Sequence, residues 1–69
     1  MEFTYSDKGN NHGALEYELN GERVAEITWV VRDNVMNMNH TYVSDVLRGK
    51  GVAKKLLDAA ADYARKNNL

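Results

Sequence analysis

Val46-Leu47-Arg48-Gly49-Lys50-Gly51-Val52-Ala53 is where the sequence changes its period. Upstream, apolar residues alternate with polar ones as in strands. Downstream, Val52, Ala53, Leu56, Leu57, Ala60, Tyr63 and Ala64 recur as one helical stripe. Ala, Leu and Lys favour helix there, Arg65 and Lys66 suit its last turn, and Asn67-Asn68 supply a stop. Glycine at such a junction lets the backbone approach a ligand closely, and a helix N-terminus presents unpaired N–H groups with a partial positive charge. The stretch therefore describes an anion cradle, although Gly49 and Gly51 would also serve a tight strand-to-helix connection. Acids in a first helical turn stabilise by about 0.3–1 kcal/mol, yet here Arg48, Lys50, Lys54 and Lys55 crowd the positive end. A bound polyphosphate would relieve that repulsion, which favours the cradle. Lys54 with Asp58, and Asp62 with Lys66, read as surface pairs at i,i+4.

Working back from the junction, Val35–Val43 reads as a strand with Met36, Met38, His40 and Tyr42 on one face and Asn37, Asn39 and Thr41 on the other. Asp33-Asn34 turns the chain. Val24–Val31 is the preceding strand, with Ala25, Ile27, Trp29 and Val31 opposite Val24, Glu26, Thr28 and Val30. Asn20-Gly21 is a strong hairpin signal, because both residues tolerate positive φ. Leu15, Tyr17 and Leu19 mark a further strand, Asp7–Gly13 reads as a loop, and Phe3 and Tyr5 mark the first strand. The expected fold is α+β: a four-stranded antiparallel meander covered by one long C-terminal helix.

Sixty-nine residues predict one domain over 1–69, hiding only about 60% of its unfolded surface. With 43% apolar and 28% charged residues, the composition is that of a globular protein. No transmembrane span or signal peptide is recognisable, so membrane association is not expected and the reading is cytoplasmic. There is no cysteine, which removes disulfides, thiolate metal ligands and a cysteine nucleophile from this stretch. Small scaffolds without such staples often gain stability from a partner copy or a ligand. Residues 1–43 carry seven acids against three bases, net −4, and residues 44–69 carry six bases against three acids, net +3. The basic half suits an anionic ligand. Nucleic acid is not expected, because the chain is slightly acidic and no aromatics interleave with the Lys/Arg cluster.

Two familiar phosphate motifs do not fit. A Walker loop needs GxxxxGK followed by Ser or Thr, whereas Gly49-Lys50 is followed by Gly51. GxGxxG fails because Lys54 stands at the third glycine and the sheet is antiparallel. Arg48-Gly49-Lys50-Gly51-Val52-Ala53 instead resembles the R/Q-x-x-G-x-G/A signature of the GNAT N-acetyltransferases. With His40-Thr41-Tyr42-Val43 before it and Lys54-Lys55-Leu56-Leu57-Asp58-Ala59-Ala60 after it, the chain is similar along its length to small single-domain GNAT-like acetyltransferases.

That resemblance implies acetyl-coenzyme A as cosubstrate and a small-molecule or protein amine as acceptor. It places the pyrophosphate on the backbone amides of Arg48, Gly49, Lys50, Gly51, Val52 and Ala53, and the pantetheine along Thr41, Tyr42 and Val43. A primary amine would attack the thioester directly, with main-chain N–H groups of the fourth strand facing the oxyanion. Relatives continue past the helix with a strand parallel to the fourth and a short tail. The resemblance thus implies a C-terminally incomplete domain, with an open flank on Val35–Val43 that invites a homodimer. A coenzyme-binding or interaction module without turnover is the alternative.

The residues offer only weak candidates for proton transfer. His40 suits a general base by its type, but beside Met36 and Met38 it reads as a hydrogen-bonded core group. Tyr42 reads equally as a proton donor to the thiolate and as packing. Glu26 could serve an amine through water, though an exposed strand glutamate is the ordinary expectation. His12 reads as solvated, Trp29 as core and no metal site is expected.

Overall fold

Asn10-Asn11, Asn20-Gly21 and Asp33-Asn34 all adopt positive φ, the backbone of two-residue turns whose twist matches that of antiparallel strands. In the computed structural model, which describes residues 2–69, these turns join β1 (Thr4–Gly9), β2 (His12–Leu19), β3 (Glu22–Arg32) and β4 (Val35–Val43). The sheet order is β1-β2-β3-β4, antiparallel throughout. A single 3-10 turn at Asp45–Leu47 leads to α1 (Val52–Lys66). The expected meander and covering helix are both present. The seven-residue loop expected at Asp7–Gly13 is not: β1 runs to Gly9 and β2 starts at His12, because Asn10 and Asn11 can both take the left-handed backbone.

Ile27, Trp29, Leu56 and Val52 are the largest fully enclosed side chains, with Leu15, Val24, Ala25, Leu47 and Ala60 around them. The core lies between the sheet and α1. Removing a buried aliphatic side chain from such a core typically costs about 2–5 kcal/mol, so Leu56, wholly enclosed, is a sensitive position. Two members of the expected helical stripe differ. Ala53 and Leu57 are exposed, and the buried line is Val52, Leu56 and Ala60, because the sheet contacts an arc narrower than the whole apolar face.

Two bulges rearrange the faces read from strict alternation. Tyr17 pairs with Ala25 and Glu18 with Arg23, so Val24 is the extra residue and joins the core beside Ala25. Thr28 pairs with His40 and Trp29 with Met38, so Asn39 is extra on β4. Opposed residues project to the same side of a sheet. Met36 and Met38 therefore share the helix side with Val31 and Trp29, and Thr41 and Val43 share it with Ile27 and Ala25. His40 and Tyr42 lie on the other, uncovered side opposite Thr28 and Glu26. The expectation of His40 as a core histidine among methionines is corrected: the bulge puts it on the bare face, where it is exposed.

Candidate active site

Ser44 begins the junction after β4. Its N–H donates to the Val24 carbonyl at 2.8 Å, and its Oγ accepts from the Val46 N–H at 3.4 Å. Leu47, which periodicity did not single out, is 5% exposed and anchors one end of the loop, while Val52 at 2% anchors the other. Between these plugs, Arg48, Gly49, Lys50 and Gly51 lie in solvent. Local bonds tie down the Arg48 N–H, which donates to Asp45 O at 3.1 Å, and the Lys50 N–H, which donates to Leu47 O at 3.3 Å. Among the described residues, the N–H groups of Gly49, Gly51, Val52, Ala53 and Lys54 have no protein acceptor.

Gly51 is the N-cap of α1 at φ 68°, with no side-chain cap and no acid in the first turn. Gly49 has φ 80°. A Cβ on either would meet nothing within 4 Å, so the protein leaves the space above both residues open. The cations around this space are differently engaged. Arg48 Nε lies 2.8 Å from Asp45 Oδ1 and Lys54 Nζ lies 3.2 Å from Asp58 Oδ2, both on the surface. Exposed pairs of this kind contribute about 0.2–1 kcal/mol and exchange readily for a better anion. Lys54–Asp58 is the pair expected from sequence, whereas Asp62 pairs with Arg65 rather than with Lys66. The i,i+3 partner reaches it first.

β4 is an edge strand. The bond from Ser44 to Val24 fixes the alternation of the ladder, so the main-chain groups of Thr41 and Val43 point to the open edge while those of Tyr42 point to β3. Tyr42 is 43% exposed and lies across from Glu26. Glu26 was expected exposed and is instead 8% exposed. It pairs in register with Glu16, and Arg23 stands 3.5 Å from both carboxylates. Burial pushes the Glu16 carboxyl up. The hydrogen bond from Lys8 at 3.1 Å and the charges of Lys8 and Arg23 outweigh this and hold it below its usual value of 4.5.

A separate cleft of about 440 Å³ opens at the far end of the sheet, lined by Tyr5, Asp7, the Asn10-Asn11 turn, Trp29 and Tyr63. His12 also borders it and its Nδ1 is 3.0 Å from Asn10 O, so the residue expected in a loop is fixed at the start of β2. Among the described residues no three His, Cys, Asp or Glu side chains converge as metal ligands, and no helix is long and apolar enough to cross a membrane.

The loop, the bulged edge strand and the amphipathic helix can be set against known proteins. A family model for GCN5-related N-acetyltransferases matches residues 14–69. The chain belongs to that family. Its match begins within β2 and takes in the bulged β4, the glycine loop and all of α1. Among solved structures, this acetyltransferase-family chain is similar to the ribosomal-protein-alanine N-acetyltransferase from Brucella melitensis biovar Abortus 2308, at 29% identity and a TM-score of 0.70. The alignment covers 86% of this chain and 47% of that one, so the chain spans about half the length of that enzyme. Among curated proteins none matches.

Proposed function

We propose that the chain serves acetyl-coenzyme A-dependent N-acetyl transfer to a primary amine, and that its glycine loop holds the diphosphate of the coenzyme. The unpartnered amides at Gly49 and Gly51–Lys54, under open space and beside Lys50 and Lys55, carry this reading. The fit is chemical. Five N–H donors without protein acceptors lie at and just before the positive end of a helix dipole, and a dianion would satisfy several at once. Arg48 would turn from Asp45 towards the phosphates, and Val52 and Ala53 would keep the first turn in place.

The pantetheine would lie along β4, with the amide groups of Thr41 and Val43 facing it from the open edge. When bound, the coenzyme supplies an acetyl thioester. The main chain at the bulged edge strand would orient the carbonyl and stabilise the charge developing on its oxygen. Tyr42 and His40 share the bare face with Glu26, which makes Tyr42 the candidate donor to the thiolate and His40 a candidate acceptor of the amine proton. The acceptor belongs to the class of primary amines, of which a protein's N-terminal alanine is one example.

Calorimetric titration with acetyl-coenzyme A, followed by a thiol-release assay over a panel of amines, tests both halves. Binding with release is the expected result. Saturable binding without release would leave a coenzyme-binding module, and no binding would remove the cradle. The same β4 edge would also pair with a second copy, so sedimentation with and without coenzyme tells whether the two compete.

A further inference from the structure

The far cleft has a chemistry unlike that of the glycine loop. Three aromatic rings converge on it: Tyr5 and Tyr63 are nearly parallel with centroids 5.1 Å apart, Trp29 lies 5.1 Å from Tyr63, and Tyr5 lies 6.3 Å from Trp29. Trp29 is almost wholly enclosed, but Tyr5 remains 46% exposed. Aromatic surface is thus presented to solvent beside a buried indole. Tyr5 and Asp7 stand two residues apart on β1, hence on one face, opposite Leu15 and Gly13. The Asp7 carboxylate accepts from the Gly9 N–H at 2.9 Å and forms no ion pair among the described residues. Among the described residues no lysine or arginine lines the cleft. The Tyr5 hydroxyl acting as donor to Tyr63, together with burial, pushes the Tyr5 phenol up to about 12, so its ring stays neutral.

We propose that this cleft is a binding site for an organic primary ammonium, its charge held against Asp7 and its carbon chain against Tyr5 and Tyr63. A volume of about 440 Å³ suits a small molecule. The groups match the ligand term by term: a carboxylate without a cation, π faces that attract positive charge, and an apolar wall. Binding of the ammonium stands apart from the transfer reading.

Trp29 is the chain's single tryptophan, so its emission and its indole N–H resonance report on this cleft alone. The protein is titrated with n-butylammonium chloride at about pH 8, where alkylamines remain protonated, at constant ionic strength and with no acyl donor. Butan-1-ol, with the same carbon chain, is the neutral counterpart. A saturable response to the ammonium and none to the alcohol at the same concentrations is expected. Asp7→Asn, which keeps an acceptor for the Gly9 N–H, should weaken binding about tenfold, and Tyr5→Leu several-fold. Circular dichroism checks that both variants fold. Failure to saturate, an equal response to the alcohol, or unchanged affinity in Asp7→Asn each overturns the proposal. Because no coenzyme is used, these outcomes leave the diphosphate reading to its own titration.

Discussion

Gly13 and Gly51 stand at opposite ends of the sheet for opposite reasons. At Gly13 the protein itself fills the space: a Cβ would lie 2.8 Å from Trp29 Nε1 and 2.9 Å from Cε2, since the indole lies against this position of β2. At Gly51 an added Cβ would meet nothing within 4 Å, and the residue is needed for its φ of 68°. One glycine allows side chains to pack; the other keeps a surface bare. The same residue type therefore marks a core in one region and a candidate ligand surface in the other, and only the neighbours tell them apart.

Gly51→Asp tests that contrast most severely. It places a carboxylate where the diphosphate is proposed to lie, so affinity for acetyl-coenzyme A should fall about a hundredfold or more by calorimetry. The fold should tolerate it, because an added Cβ meets nothing within 4 Å and the left-handed backbone costs only about 1–2 kcal/mol. Undiminished affinity would break the comparison. Gly13→Ala should do the reverse: the indole must shift, which costs about 1–3 kcal/mol of stability in denaturant unfolding, while coenzyme affinity stays within about twofold at temperatures where the variant is folded.

Two smaller effects sharpen the contrast at the aromatic end and on the bare face. Tyr63→Phe removes the hydrogen bond that raises Tyr5, so phenolate absorbance should show the Tyr5 titration fall from about 12 towards 10.0. A raised phenol pKa contributes stability fully below 10.0 and loses it as pH climbs through about 12. Wild type should accordingly lose stability over that interval by more than the variant. Glu16→Gln should cost less than about 1 kcal/mol at neutral pH. Because the folded carboxyl titrates below 4.5, its contribution is present above that pH and disappears as pH falls through the lowered value. The two proteins should converge in acid.

Much of the fold was legible from short-range chemistry. Asn20-Gly21 and Asp33-Asn34 are turns because asparagine, aspartate and glycine tolerate positive φ, and the change of period at Gly51-Val52 marks the helix start. The glycine loop was equally legible, since glycines and cations adjoining an amphipathic helix are local features. Leu47 was not: one leucine in a polar stretch has no periodicity, and it is buried because the turn at Asp45–Leu47 aims it inward. Nor was the Tyr5–Trp29–Tyr63 cluster, whose members come from three elements far apart in sequence.

By itself the sequence determined the elements, their order and the open junction, because each depends on backbone preferences within a few residues. Tertiary structure decided which face each side chain occupies. Val24 and Asn39 are extra residues in their ladders, and one extra residue shifts everything beyond it to the other side of the sheet. No single strand carries the signal for that shift. It arises from hydrogen-bond register with a neighbouring strand, and it is what moves His40 and Tyr42 off the core and beside Glu26.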